Sequence, residues 1–398
     1  MKIVAISGSL RTGSSNTSLL QAVAGAMPDG ATMTLFEGLA ELPAFNPDFD
    51  VDGTPEVVTR WRALIRDADA VAISSPEYAR GVVGSLKNAL DWLVGSGELY
   101  LKPIALLHVS TRGEVAQTAL RTTLNVMTGA IVFEEIVPLD TVADAARRIV
   151  RAVKARKELP RAILFDLDET IITFGHRPSL LREAAEHYAA KIAPVTPAEL
   201  ADQGEADFRD FWGDEDRHKA WRQRLPEARR LILSQTFAKF AHRAPALTEA
   251  LAHEFADHFH AYREAQIRFF PDAVETVDEL RRRGVKLTLI TNGASEIQRA
   301  KIERFDLLRR FDHIQIESEH PFGKPELDAY RHAMATLGVT ADECWIVGDN
   351  LEWEVAAPQR LGIYAVWHDP WGEGLPPGSP VRPDRIIRAL SELLPPEF

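Results

Sequence analysis

Apolar and polar positions alternate with two different periods through the first part of the chain. Short apolar runs predict strands at Ile3–Ile6, Thr32–Phe36, Ala70–Ile73, Ile104–His108 and Ala130–Phe133. Between them, apolar residues at helical spacing predict helices over Thr17–Ala26, Pro55–Asp67, Ser85–Trp92, Val115–Met127 and Ala143–Ala155. This alternation implies parallel strands joined by crossover helices, an open α/β sheet. Ligands of such sheets sit at the carboxyl ends of the strands. The basic helical stretch ADAARRIVRAVKARKELP stops at Pro160, and a new apolar run follows at once. A domain boundary is therefore expected near Arg156–Arg161, dividing 1–158 from 159–398, with the basic run a solvated helix face.

The second part opens on RAILFDLDETII, an apolar strand running into carboxylates. From Ser179 to about Phe270 strands vanish and helical patterns such as PEARRLILSQTFAKFAH take over. Alternation resumes at Pro271, with DAVETVDELRRRG as a helix and VKLTLITNG as a strand. A helical insert spanning about 173–270, placed just after the first strand, reads as a cap over that strand's end.

Bulk properties narrow the classes. The 398 residues suffice for two domains, and 45% hydrophobic with 26% charged residues is ordinary for a globular protein. A formal net charge of −12 argues against non-specific nucleic-acid binding, which needs a basic face. It leaves room for small anions held by a local loop. The single cysteine, Cys344, cannot form an intrachain disulfide, which fits a reducing, cytoplasmic setting. Cys344 lies in the apolar run CWIVGD and reads as a buried bystander. The N-terminus MKIVAISGS is too short for a signal-peptide core, and no apolar run has membrane-spanning length.

Four pieces of the second part carry chemistry: Asp166-Leu167-Asp168-Glu169-Thr170, LTLITNG, GKPE and WIVGDN. A carboxylate attacks phosphorus only when charge is offset, which a hard divalent cation such as Mg²⁺ does through oxygen ligands. Asp166 is placed as the nucleophile of an aspartyl-phosphate intermediate. Asp168, two residues on, is the proton donor to the leaving alkoxide and acceptor from water. Thr291 and the amides of Asn292 and Gly293 are expected to hold phosphoryl oxygens, and Lys324 to face the developing charge. Asp166, Asp168 and Asp349 are the expected metal ligands, with Asn350 and Glu354 in the outer shell. For substrate contacts the insert offers His176, Arg177, Trp212, His218, Arg222 and Arg229.

The first part carries a different site. Gly8-Ser9-Leu10-Arg11-Thr12-Gly13-Ser14-Ser15-Asn16 lies between a strand and a helix and suits a phosphate monoester. It is neither G-x-G-x-x-G nor a G-K-[ST] loop. Ser75-Pro76-Glu77-Tyr78 and Ser110-Thr111-Arg112-Gly113 follow two further strands, so three loops are expected to build one pocket.

Through FDLDET, LITNG, FGKPE and VGDNLEWEVAAPQRLG, residues 161 to about 394 resemble the haloacid dehalogenase superfamily of hydrolases. The resemblance implies a Mg²⁺-dependent phosphatase with Asp166 as nucleophile, Asp168 as acid/base and a small phosphomonoester substrate. The family's dehalogenases lack the second aspartate. Through SGSLRTGSSN, LPAFNPD, SPEY and SLKNALDW, residues 1–135 resemble the flavodoxin-like NADPH-dependent FMN reductases. That resemblance implies that Ser9, Arg11, Ser14 and Asn16 bind the FMN phosphate. Pro76, Glu77 and Tyr78 would lie along the isoalloxazine, with Ser110 to Gly113 on its other side. It also implies NADPH or NADH as donor and a homodimer with the KNALDW helix near the interface. The combined expectation is an α/β chain with two parallel sheets, a reductase fused to a phosphatase. Two alternatives stay open: a non-catalytic flavin-binding or dimerisation module ahead of the phosphatase, or a phosphatase acting on FMN or a phosphorylated flavin precursor.

Overall fold

The computed structural model describes residues 1–51, 53–221 and 224–395. It divides into two compact units, with Met1–Leu159 in one and Pro160–Leu394 in the other. Each is built on a parallel sheet.

The first sheet contains β1 (Lys2–Ser7), β2 (Thr32–Leu35), β3 (Ala70–Ser74), β4 (Pro103–His108) and β5 (Ala130–Ile136), in the order β2-β1-β3-β4-β5. Side chains along a strand alternate between faces, and the core follows that period. Val4, Ile6, Val71 and Ile73 pack with the helices Glu56–Asp67 and Gly84–Val94. Ile3, Ala5, Ala70 and Ala72 pack on the other face with Ser15–Gly25 and Val142–Lys157. The helix Glu56–Asp67 buries Val58, Trp61 and Ile65, one stripe at helical spacing, and Trp61 stacks on Phe36 with ring centroids 4.5 Å apart. The strand order reverses between β1 and β3, and a crevice at their carboxyl ends follows from that topology.

Just beyond β3, Glu77–Tyr78 pairs antiparallel with Gly81–Val82 through the two-residue turn Ala79-Arg80. Both turn residues have positive φ, 50° and 58°, as a tight hairpin with right-twisted strands demands. Neither is Gly, Asn or Asp, the residues that visit this region readily. Replacing the pair with Asn-Gly should therefore stabilise the first unit by about 1–2 kcal/mol. Amide exchange in Ala70–Ser74 should slow by roughly 5- to 30-fold. Unchanged exchange would mean that the turn stores no strain.

The second sheet contains β6 (Ala162–Phe165), β7 (Lys286–Thr291), β8 (His313–Ile316), β9 (Cys344–Gly348), β10 (Tyr364–His368) and β11 (Arg385–Ile387), ordered β8-β7-β6-β9-β10-β11. β6 is flanked by β7 and β9, so the carboxyl ends of all three meet. Between β6 and β7 the chain forms a short ribbon, in which Ile172–Thr173 pairs antiparallel with Arg268–Phe269. The ribbon frames the helices Arg177–His187, Ala189–Ile192, Pro197–Gly213, Glu215–Trp221, Leu225–Phe240 and Glu249–Ala265. These have their own core, including Leu181, Phe208, Leu233, Phe237, Phe255 and Phe259. Thr196 and Glu199 form a capping box that starts Pro197–Gly213. No helix among the described residues is long and apolar enough to cross a membrane.

Candidate functional sites at two sheet edges

In the second unit Asp166 directly follows β6, and its amide donates to the Val347 carbonyl of β9 at 2.9 Å. Its carboxylate is buried. Lys324 Nζ donates to Asp166 Oδ1 at 2.5 Å and to Glu354 Oε1 at 2.7 Å. Lys324 is only 1% exposed, so an ammonium is held in the interior by two carboxylates. Burial alone would lower its pKa, but the charges of Asp166 and Glu354 outweigh it and the pKa is raised. Burial pushes Asp166 up against the pull of Lys324, and pushes Glu354 up to about 7. Thr170 Oγ1 reaches Asp166 Oδ2 at 3.3 Å.

Glu354 fits beneath the strand end because residue 348 is glycine. A Cβ there would lie 2.1 Å from Glu354 Cγ. Asn350 starts the π-helical turn Leu351–Ala356, accepting from the amides of Glu352 and Trp353, while its own amide donates to Glu354 Oε2 at 3.0 Å. Asp349, between them, opens into a cavity. Although Asp349 is exposed to that cavity, the protein around it and the like charges of Asp166, Glu354 and Glu169 push its pKa up.

Asp168 turns elsewhere. Lys301 Nζ donates to both its oxygens, at 2.8 and 2.9 Å, and Gln298 Nε2 donates to Oδ2 at 3.0 Å. The same Gln298 amide reaches Thr291 Oγ1 and the Asn292 carbonyl. Gln298 and Lys301 lie three residues apart on the helix Ser295–Arg304, on one face of it. Asn292 clasps the backbone of Lys324, donating to its carbonyl at 2.7 Å and accepting from its amide at 2.9 Å. The Gly293 amide, expected at a phosphoryl oxygen, donates instead to buried Glu317 Oε2 at 3.0 Å.

Asp166, Lys324, Asp349 and Glu354 are thus gathered by β6, β9 and the loop before the helix Leu327–Leu337. Asp168, Thr291 and Gln298 form an adjoining group. Among the described residues no three His, Cys, Asp or Glu side chains stand as a closed metal cage. Asp166 and Asp349 are nonetheless hard oxygen donors crowded by like charge, a donor set that suits Mg²⁺. Glu354, expected in the outer shell, is the partner of Lys324.

The residues that sequence reasoning passed over are Gln298, Lys301, Glu317 and Arg263. Their only signals were position on helices and loops near the motifs. Arg263 stacks on Phe174, Cζ 4.1 Å from the ring centroid, and approaches Glu169 at 3.4 Å. Of the expected substrate contacts, Arg177 forms a bidentate pair with Glu205, at 2.7 Å for each bond. His176 Nδ1 lies 2.8 Å from Ser179 Oγ. Arg229 Nη1 lies 2.5 Å from His260 Nδ1, and burial with Arg263 and Arg177 nearby lowers its pKa to about 10. Trp212 lines a cavity of about 800 Å³ that also contains Asp349. The His218 side chain and Arg222 lie outside the described residues.

In the first unit three loops converge. A Cβ on Gly8 would come 2.3 Å from Ser75 Oγ, so the first and second loops touch. A Cβ on Gly113 would come 3.3 Å from Glu77 Cβ, which joins the second to the third. The Ala116 amide donates to Glu77 Oε2 at 3.0 Å, so that carboxylate serves the helix Glu114–Val126. Ser74 Oγ donates to Asn16 Oδ1 at 2.9 Å, which ties β3 to the first helix. Ser14 starts the helix Ser15–Gly25 without a side-chain cap bond, and the first turn carries no acid. Its amides and the exposed Arg11 suit a phosphate. Ser9 Oγ accepts the Arg11 amide at 3.3 Å. Tyr78, Ser110, Thr111 and Arg112 are exposed along the rim, while Ser9, Pro76 and Gly113 are half-buried.

Fold and sites together define a class: a flavodoxin-like α/β unit joined to an α/β hydrolase unit with a helical insert after its first strand. The chain belongs to the haloacid dehalogenase-like hydrolase family, whose model matches residues 160–362, and residues 1–144 match the NADPH-dependent FMN reductase family. It is similar to a phosphoserine phosphatase of Thermus thermophilus, 35% identical over 36% of this chain and 56% of that one. It is similar to an NAD(P)H-dependent FMN reductase of Pseudomonas aeruginosa, 40% identical over 28% of this chain and 60% of that one. A ribulose-1,5-bisphosphate 5-phosphatase of Halopiger xanaduensis is 30% identical over 52% of this chain and 84% of its own. The chain thus spans little more than half the length of the first two relatives.

Proposed function

We propose that the chain is bifunctional: a Mg²⁺-dependent phosphomonoester phosphatase in the second unit and an NAD(P)H-dependent FMN reductase in the first. The observation that carries the phosphatase is Lys324 Nζ 2.5 Å from Asp166 Oδ1, with Asp168 held beside them by Lys301 and Gln298. Mg²⁺, held by Asp166 and Asp349, would supply charge neutralisation between carboxylate and phosphate.

One Asp166 oxygen attacks phosphorus, the bond from phosphorus to the ester oxygen breaks, and Asp168 gives its proton to the departing alkoxide. Lys324 faces the charge that builds on the phosphoryl oxygens. Water then attacks the aspartyl phosphate, Asp168 takes its proton, phosphate leaves, and Asp166 is restored. Both Asp168 oxygens accept from Lys301, which argues against side-chain metal ligation, and Asp168 must part from Lys301 to carry the proton.

In the first unit the Ser9–Asn16 loop would hold the flavin phosphate, and the rim from Pro76 to Tyr78 and from Ser110 to Gly113 would flank the ring. The flavin, when bound, supplies the hydride chemistry. The purified chain, given FMN, should oxidise NADPH or NADH with bleaching of the flavin's visible absorbance. Tight FMN binding without bleaching would leave the first unit a binding module and remove the reductase half of this reading.

A further inference from the structure

The cavity of about 800 Å³ that opens on Asp349 is walled by Trp212, Trp353 and Trp367, and its volume is that of a site for a drug-sized ligand. Its floor is made of the chemistry's immediate neighbours. Pro325 follows Lys324, Trp353 precedes Glu354, and Trp367 Nε1 donates to the Asp349 carbonyl at 2.7 Å. Trp212 comes from the insert, at the end of the helix Pro197–Gly213, so the insert and the sheet edge close on the same space.

The charges of the wall are one-sided. Asp216, Glu326, Glu352 and Glu373 line it with Asp349, Glu352 being paired with Arg360 outside the wall, and among the described residues Arg209 is the only cation that lines it. Such a wall repels a second anionic group on the substrate and suits a neutral ring with N–H donors. Indole faces in turn give a planar ring stacking area without demanding its sequence of atoms.

Resting on the phosphatase reading, we infer that the substrate is a phosphomonoester whose alcohol carries a neutral planar ring system, seated between Trp212 and the tryptophans of the sheet edge. The ester phosphate sits at Asp166 and the ring fills the cavity. A flavin or purine nucleotide has this chemistry. A sugar bisphosphate or a phosphorylated amino acid does not.

The test uses the full chain with Mg²⁺ and follows phosphate from FMN and AMP as ring-bearing esters. Ribitol 5-phosphate serves as a ringless ester, and a sugar bisphosphate as a doubly anionic one. We expect kcat/KM for at least one ring ester to exceed that for ribitol 5-phosphate by 10-fold or more. Trp212→Ala should lower the ring-ester value about 10-fold, mostly through KM, and leave ribitol 5-phosphate unchanged. Gly213→Trp is the second variant. Gly213 lines the cavity and a Cβ there meets no atom within 4 Å, so a large side chain can be introduced at the cavity wall without a backbone clash. It should raise KM for ring esters only. Equal use of ring and ringless esters, or preference for the bisphosphate, with both variants neutral, overturns the inference and leaves the phosphatase standing. Phosphate from none of the esters removes the phosphatase reading and the inference with it.

Discussion

Replacing Asp166 by Asn should reduce phosphate release by on the order of 10⁴-fold or more while leaving the fold and flavin reduction intact. The asparagine keeps the volume beside β6, and its amide oxygen still accepts from Lys324 Nζ, which stands 2.5 Å away and keeps Glu354 as a second partner at 2.7 Å. An amide oxygen, however, is a poor nucleophile toward phosphorus. The loss should appear mainly in kcat, because Lys324, Asp168 and Asp349 are all kept. Rapid quenching of the wild type with a labelled ester should trap phosphate on the protein, and Asp166→Asn should trap none. Retention of activity within 10-fold would show that another group attacks, and the assignment of Asp166 would fall. The first unit has its own sheet and loops, so NADPH-driven bleaching of FMN should be unchanged in the same preparation.

Lys324→Met should strongly destabilise the second unit. The methionine fills the space but removes the cation from a site 1% exposed, leaving Asp166 and Glu354 facing each other in the interior. Removing one partner of a buried ion pair costs about 3–5 kcal/mol, since the remaining charge stays desolvated. Of the eight tryptophans, only Trp61 and Trp92 lie in the first unit, so indole fluorescence in urea reports mainly on the second. Its midpoint should fall accordingly. Phosphate release should drop by about 10²–10³-fold as well, the usual effect of removing one charge-stabilising donor. A variant less than about 1 kcal/mol weaker would mean that the triad of charges holds nothing together.

Much of this was legible in the chain because chemistry in parallel α/β sheets falls at strand ends. An apolar run followed by carboxylates, a hydroxyl, or a Gly-Lys step marks a strand and the loop after it. The motifs therefore gave both the fold class and the residues that β6, β7 and β9 bring together. Two periods also sufficed for the layers of the first unit, since Val4 and Ile6 face one core while Ile3 and Ala5 face the other.

What a motif cannot carry is the partner of each group. Glu354 and Lys324 are thirty positions apart, and only folding over Gly348 brings them to 2.7 Å. The Gly293 amide looks free in a linear reading, yet Glu317 takes it, and Glu77 is taken by the amide of Ala116. Gln298 and Lys301 carry no motif, but helix geometry aims both at Asp168. The tryptophan cavity joins residues from the insert, the loop after β9 and the end of β10.

The sequence by itself determined the two families, the two parallel sheets and the chemical groups at their edges, because these depend on local pattern and residue type. The tertiary structure alone decided which buried charge is paired, which amide remains for a ligand, and what space the insert encloses. Those depend on distances between positions remote in the chain, and desolvation makes each such pairing count.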